Sequence, residues 1–305
     1  MISSQKSIGG WAYNEKVPCD ADSTAWCLMA LEGSKGLSDR RRETAKAFMW
    51  SHRTDLGIST YRKDSGIIEY LGIDERQIVG WTSAHPDVTA AVLLAGGVKK
   101  EQENEELAKL VATQKGSGFF DAYWWRGPYY TTTLLLRTMT KNRKRLPDSQ
   151  AYLILNALKR EQLSDGGFGL GASLQLDPFT TALALESLSY LSYLGGESER
   201  RLAGIGLIKT QKDNGRWEGN YIMRIPAPNI VDPLHVSKWS RQGFGGNCYI
   251  YDENGWFSTA ASCFALESWR RVESGEMKNV HKWPVVHTME DRRENGARFR
   301  KMVRQ

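Results

Sequence analysis

Cysteine is scarce in this 305-residue chain, and the four that occur (Cys19, Cys27, Cys248 and Cys263) form no C-x-x-C pair. Their places in or beside apolar segments argue against a disulfide framework and against a zinc ribbon, and read as buried thiols. No apolar run approaches the roughly 18 residues needed to span a bilayer. The N-terminal "MISSQKSIGGW" lacks the basic-then-apolar order of a secretory leader, so the expected location is the cytoplasm. Also missing is any nucleic-acid-binding motif with aromatics interleaved among charges. The formal charge of +6 is concentrated instead in "KNRKRLP" at 141–147 and "DRRENGARFRKMVRQ" at 291–305. These read as a solvated loop and a basic terminal helix. Nucleic acid is therefore not an expected partner; an anionic substrate or contact with a membrane surface accounts for the charge equally well.

What the chain does have is repetition. The spacing Q-x-x-x-G-x-aromatic occurs at Gln5–Gly9–Trp11, Gln114–Gly118–Phe120, Gln162–Gly166–Phe168 and Gln211–Gly215–Trp217, and "DLGISTY", with Gly57 and Tyr61, reads as a degraded copy. A second block recurs as "DSTA" (22–25), "DVTA" (87–90), "YTTT" (130–133), "FTTA" (179–182) and "FSTA" (257–260). Apolar residues at helical spacing end at the glutamine in segments such as "SQAYLILNALKREQ" (149–162) and "ERRLAGIGLIKTQ" (199–211). The glycine then supplies the backbone freedom of a helix stop, and the glutamine amide can satisfy backbone groups at a neighbouring helix end. Ser or Thr of the second block is expected to cap the helix that follows. Those helices, predicted over 24–32, 89–97, 132–140, 180–193 and 259–270, are apolar almost all round and so must be covered on both sides. The segments ending in glutamine are more amphipathic and belong outside. An all-α ring of inner and outer helices follows, as one domain over 1–285 with a basic tail at 286–305.

These motifs resemble the squalene–hopene cyclase and prenyltransferase superfamily, whose domains are α/α toroids built on Q-x-x-x-G-x-W repeats. The resemblance covers about residues 5 to 271. In its class II terpene cyclases, a D-x-D-D-T-A motif supplies the proton that starts cyclisation. The matching stretch is Asp20-Ala21-Asp22-Ser23-Thr24-Ala25, which puts Asp22 at the proton donor and Asp20 at the first carboxylate. Ser23 stands where the motif has its last aspartate, a departure that bears on activity rather than fold. The prenyltransferase branch holds zinc with a D-x-C pair and a histidine. Here Gly246 precedes Cys248 by two, and no histidine stands in "FSTAASCF", so no zinc is expected. The D-D-x-x-D motif of ionisation-type synthases is missing as well. No cofactor is implied.

The residues of Asp22's neighbourhood admit a plainer reading, in which Asp22 or Ser23 is an N-cap and Asp20 a first-turn charge. Yet equivalent block positions in a toroid point to one end of its centre, so Asp22 and Asp87 should face Tyr130, Phe179 and Phe257. A carboxyl there is desolvated and sits beside a second carboxylate. Both raise its pKa and leave a neutral acid. His85 could hydrogen-bond that acid and orient it, or serve structure alone. The aromatics Trp26, Trp81, Tyr249 and Trp256 lie beside inner helices and are expected to stabilise a cation. In "FFDAYWWRGPYYTT", the polar-tipped Tyr123, Trp124, Trp125, Tyr129 and Tyr130 suit a cavity mouth. Arg224, in the proline-rich "NYIMRIPAPNIVDP", could meet an anionic head group or brace its loop. The expected function is protonation-initiated cyclisation or isomerisation of an isoprenoid alkene or epoxide. Alternatives are a non-catalytic toroid that binds a hydrophobic ligand or partner, or other acid–base chemistry on this scaffold. Oligomeric state is not legible.

Overall fold

The computed structural model describes residues 1–241, 245–277 and 280–286. Its helices, in chain order, are α1 (Ala21–Ala30), α2 (Asp39–Trp50), α3 (Ile67–Leu71), α4 (Val79–Thr82), α5 (Pro86–Ala95), α6 (Lys100–Ala112), α7 (Tyr129–Lys141), α8 (Asp148–Glu161), α9 (Pro178–Tyr190), α10 (Glu197–Lys209) and α11 (Trp256–Glu273). Strand content among the described residues is confined to two short antiparallel pairs, β1 (Arg53–Thr54) with β2 (Gly57–Ile58) and β3 (Met223–Ile225) with β4 (Cys248–Ile250).

The architecture is the expected α/α toroid. Inner helices pack in the order α1, α5, α7, α9, α11, with α2 outside α1, α6 outside α5, and α8 and α10 outside α9. Burial follows the composition of each helix. Every residue of α9 is buried, which a sequence as apolar as "PFTTALALESLSY" requires. The outer α8 buries Ala151, Ile154, Leu155, Ala157 and Leu158 and turns Tyr152 and Leu153 to solvent. The last inner helix, α11, packs Ser258, Ala261, Ser262 and Ala265 inward. Its opposite face, with Trp256, Phe257 and Phe264, remains exposed among the described residues.

The two repeated blocks turn out to be tied to each other. In each unit the block threonine accepts a hydrogen bond from the backbone N–H of the motif's aromatic: Thr24 from Trp11 (3.0 Å), Thr132 from Phe120 (3.1 Å), Thr181 from Phe168 (3.0 Å) and Thr259 from Trp217 (3.1 Å). In the degraded copy, Thr89 accepts from Ile58 at 2.9 Å, so Ile58 rather than Tyr61 holds the aromatic's place. The threonines are therefore locks inside the first helical turn, not caps. Caps come from aspartates upstream, with Asp20 accepting from Ser23 N–H at 2.7 Å and Asp177 from Thr180 N–H at 2.8 Å.

The glutamines act as staples between units. Gln162 donates through Nε2 to Gly166 O (2.8 Å) and to Glu199 O in the first turn of α10 (2.8 Å). Gln5 and Gln114 do the same to Arg41 O of α2 and Gln150 O of α8. The receiving carbonyls lie in first turns, so they are second acceptances rather than the unpaired end groups anticipated. Glycine is needed at the turn itself. Gly166 sits at φ +87°, and a Cβ there would come within 2.6 Å of the Leu202 carbonyl oxygen.

The four cysteines are unpaired, as expected, but only Cys19 is fully buried and Cys263 is exposed. Of the basic tail, Val286 is buried and its N–H bonds to Arg145 O; residues 287–305 lie outside the described residues.

Candidate active site

The first turn of α1, the short helices α3 and α4, the strands β3 and β4 and the connections beside them border a cavity of about 270 Å³. Asp22 lines it, together with Tyr13, Val17, Thr60, Tyr61, Tyr70, Trp81, Trp124, Met223, Arg224, Ile225, Arg241 and Ile250. A larger groove of about 590 Å³ lies elsewhere, along the exposed charged turn from Lys212 to Gly219. The smaller cavity is the one that combines apolar walls with convergent polar groups.

Local chemistry sorts the two aspartates of α1. Asp20 is the N-cap, fully buried, with Oδ1 held by Ser23 N–H and Oδ2 buried without a hydrogen-bond partner. Asp22 is the first-turn residue, half-buried, and faces the cavity. The capping reading thus had the two in reversed places. Burial raises the Asp20 carboxyl to about 6, against the opposing hydrogen bonds of Ser23 and neighbouring backbone. Asp22 is pushed well above the carboxylate range, first by burial, then by the Asp20 and Asp87 carboxylates; a hydrogen bond from the Trp26 side chain works the other way. Burial and the neighbouring carboxylates thus both favour the neutral form of this acid.

Asp87 is buried in the first turn of α5. Its Oδ2 accepts from Tyr123 N–H (3.1 Å) and Trp124 N–H (2.8 Å), and its Oδ1 is buried without a partner. Arg224 grips the same stretch from the other side, donating through Nε to Tyr123 O (2.9 Å) and through Nη2 to Ala122 O. The loop carrying Tyr123 and Trp124 is therefore held by a carboxylate on its amides and a guanidinium on its carbonyls.

His85 does not bond a carboxylic acid. Its Nε2 lies 2.7 Å from Gly80 O, which can only accept, so Nε2 carries the proton. Its Nδ1 then accepts from the Thr60 hydroxyl (2.8 Å), and Thr60 in turn accepts from the Trp124 indole N–H (2.7 Å). Burial lowers the imidazole to about 3 and keeps it neutral. Its ring stacks on Tyr123 with centroids 3.8 Å apart. His85 thus fixes the wall that carries Trp124.

The expected aromatics divide into groups. Trp81 and Trp124 line the cavity edge-to-face, 5.5 Å apart. Tyr130, Trp125 and Phe179 form a buried stack, with Trp125 3.9 Å from Tyr130 and 5.4 Å from Phe179. The Tyr130 hydroxyl is buried without a partner, and Asp22 is its strongest charged influence. Tyr123 faces away, its hydroxyl donating to Ile230 O at 2.6 Å.

Four expectations are corrected. Tyr129 points outward, its hydroxyl bonded to Glu161 of α8 at 2.6 Å. Tyr249 lies on the surface under Arg126 (4.3 Å) and against Trp239. Trp256 is 68% exposed and Phe257 49% exposed, although Phe257 touches Trp125 edge-on at 5.6 Å. The last two sit on the uncovered side of α11, where block position no longer implies burial. Sequence reasoning missed Tyr13, Tyr61, Tyr70, Met223 and Ile225. Tyr13 and Tyr61 stand on connections, Tyr70 on the five-residue α3, and Met223 and Ile225 on the three-residue β3. Elements this short carry no periodicity, and the one signal was that Tyr61 falls in the degraded repeat.

Among the described residues no group of three or more His, Cys, Asp or Glu side chains is placed to hold a metal ion. No helix there is long and apolar enough to cross a membrane.

The fold is the one seen in solved type II terpene cyclases. Solved structures with the same fold include a protein from Actinoplanes (26% identity, TM-score 0.78, matching 88% of this chain and 81% of that one). They also include the type II terpene cyclase MstE from Scytonema in complex with geranylgeranyl dihydroxybenzoate, its substrate (24%, TM-score 0.77, 88% and 78%). A further match is ent-copalyl diphosphate synthase from Streptomyces platensis (15%, TM-score 0.54, 88% of this chain and 45% of that one). No protein-family model and no curated protein sequence matches the chain. The likeness is one of three-dimensional fold.

Proposed function

We propose that this protein is an acid-initiated isoprenoid cyclase or isomerase. The observation that carries the reading is the place of Asp22 in the wall of a largely apolar cavity, where burial and the Asp20 and Asp87 carboxylates push its carboxyl well above its ordinary value. Its O–H proton passes to one carbon of an alkene, or to the oxygen of an epoxide. The π pair or the oxygen lone pair forms the new bond to hydrogen, and the Asp22 O–H pair stays on the carboxylate. On an epoxide the ring C–O bond then breaks and its electron pair goes to oxygen as the hydroxyl. On either substrate the carbocation so formed is attacked by a second alkene of the same chain, and loss of a proton from carbon ends the sequence.

Protonating an alkene is difficult for a carboxylic acid, so the site must favour the cation more than the neutral chain. The π faces of Tyr61, Trp81 and Trp124 border the cavity and are suited to that charge. Asp20 and Asp87 add negative potential on the same side. The fold shared with type II terpene cyclases supports the reading. Asp22→Asn tests it, because the amide keeps shape and cannot donate the proton. Turnover of a polyprenyl substrate should fall by at least about a thousandfold, more than the usual contribution of a single general acid at its lower bound, while ligand binding persists. Wild-type turnover by Asp22→Asn would overturn the assignment of Asp22 and place the start of the reaction on another group.

A further inference from the structure

One charge in the cavity wall has no counter-ion. Arg224 is only 6% exposed, lines the cavity that Asp22 lines, and among the described residues has no carboxylate within 4.0 Å. Its hydrogen-bond partners are the neutral carbonyls of Tyr123 and Ala122, reached through Nε and Nη2. A buried guanidinium without a paired acid is costly, and proteins rarely keep one unless something answers the charge. Burial accordingly weakens its hold on the proton; Asp87, Asp121 and Asp232 oppose this only at a distance. Nη1 forms no protein hydrogen bond among the described residues. A second cation, Arg241, borders the same cavity and is exposed at its mouth.

We infer that Arg224 and Arg241 recognise an anionic head group, a carboxylate or a phosphate ester, on the isoprenoid substrate. The inference rests on the acid-initiated reading for the identity of the chain, but on geometry for the head group. Arg224 is fixed by two carbonyls, so its remaining N–H edge is presented without further ordering cost, as bidentate anion recognition favours. Arg241, at the mouth, would close on the other oxygens and draw the anion in. A cavity of about 270 Å³ is at the low end for small-molecule sites, which run from about 300 to 1,000 Å³. The chain between head group and reacting alkene is therefore short or folded back. An anion at Arg224 also leaves the apolar wall of Trp81 and Trp124 to the hydrocarbon, which fixes the orientation of the substrate.

Isothermal titration of the wild-type protein with farnesoic acid, farnesyl monophosphate and farnesol, at low salt, reads this directly. The three share one chain and differ in head group. One or both anions should bind at least about tenfold tighter than the alcohol, the value of one charge-assisted hydrogen bond, and the stronger anion identifies the head-group class. Arg224→Gln should erase the preference, so that both anions bind no tighter than farnesol in the same variant, whatever the loss of the loop bonds to Tyr123 O and Ala122 O costs all three probes alike. Arg224→Lys should keep part of it, and Arg241→Gln, at an exposed site, should weaken the anions about two- to fivefold and make their binding less salt-sensitive than in wild type. Equal binding of all three probes, no binding of either anion, or a preference that survives both glutamine variants overturns the inference. Asp22→Asn should retain the preference, so failure of the acid assignment and failure of the head-group assignment appear in different experiments.

Discussion

Asp20→Asn separates the two jobs of the Asp20 carboxylate, capping and charge. The cap bond to Ser23 N–H at 2.7 Å survives in the variant, because asparagine caps as well as aspartate. The buried negative charge does not. In the fold the carboxyl titrates near 6 against an ordinary 3.8. Its contribution to stability is thus fully present below pH 3.8, declines as pH rises towards 6, and is constant above. The full change is on the order of 3 kcal/mol, at about 1.4 kcal/mol per tenfold. For a chain of this size that corresponds to roughly 5 °C in melting temperature. Melting curves of wild type and Asp20→Asn between pH 4 and 8 should therefore diverge in favour of the variant up to about pH 6 and run parallel beyond it. A difference independent of pH would refute the reasoning, since it would mean that the carboxylate is solvated in the fold.

Two further outcomes follow from contacts around the cavity and the repeat. Asp87→Ala leaves the amides of Tyr123 and Trp124 unpaired and opposes the Arg224 charge less, so it should cost about 2–4 kcal/mol; urea denaturation followed by tryptophan fluorescence measures it. Thr181→Val keeps the shape but removes the acceptor of Phe168 N–H, for an expected loss of about 1–3 kcal/mol. The same exchange at an exposed threonine such as Thr44 should be near neutral.

The ring of helices was legible because its two signals reinforce each other. The motif glutamines staple one unit to the next, and the block threonines lock each aromatic backbone to its inner helix. Both contacts are local enough to impose a fixed spacing on the chain. Comparison of block positions singled out Asp22, which lines the cavity, but equally Asp87, Tyr130, Phe179 and Phe257, which do not. The relation of Asp22 to Asp20 was not legible, because a carboxylate two residues from another can cap or face inward, and only the backbone of Asp20 at φ −135° decides. Arg224 and Asp87 act on one loop from positions 137 residues apart in sequence, a link with no periodicity to betray it. The displaced aromatics, Trp256 and Phe257, show the limit of repeat reasoning. It assigns a position on a helix, whereas burial depends on what lies across from that helix.

Cyclisation begun by protonation leaves a mark that no other route on this scaffold shares. Wild-type protein turning over its polyprenyl substrate in deuterium oxide should give a product heavier by one deuterium, placed on the carbon first protonated, with any head group retained; for an epoxide substrate the label exchanges from oxygen and the cyclised alcohol itself is the signature. Asp22→Asn should give none of that product. A cyclised hydrocarbon-initiated product without carbon-bound deuterium, or one formed as readily by Asp22→Asn, would contradict the assignment of Asp22 as the proton donor.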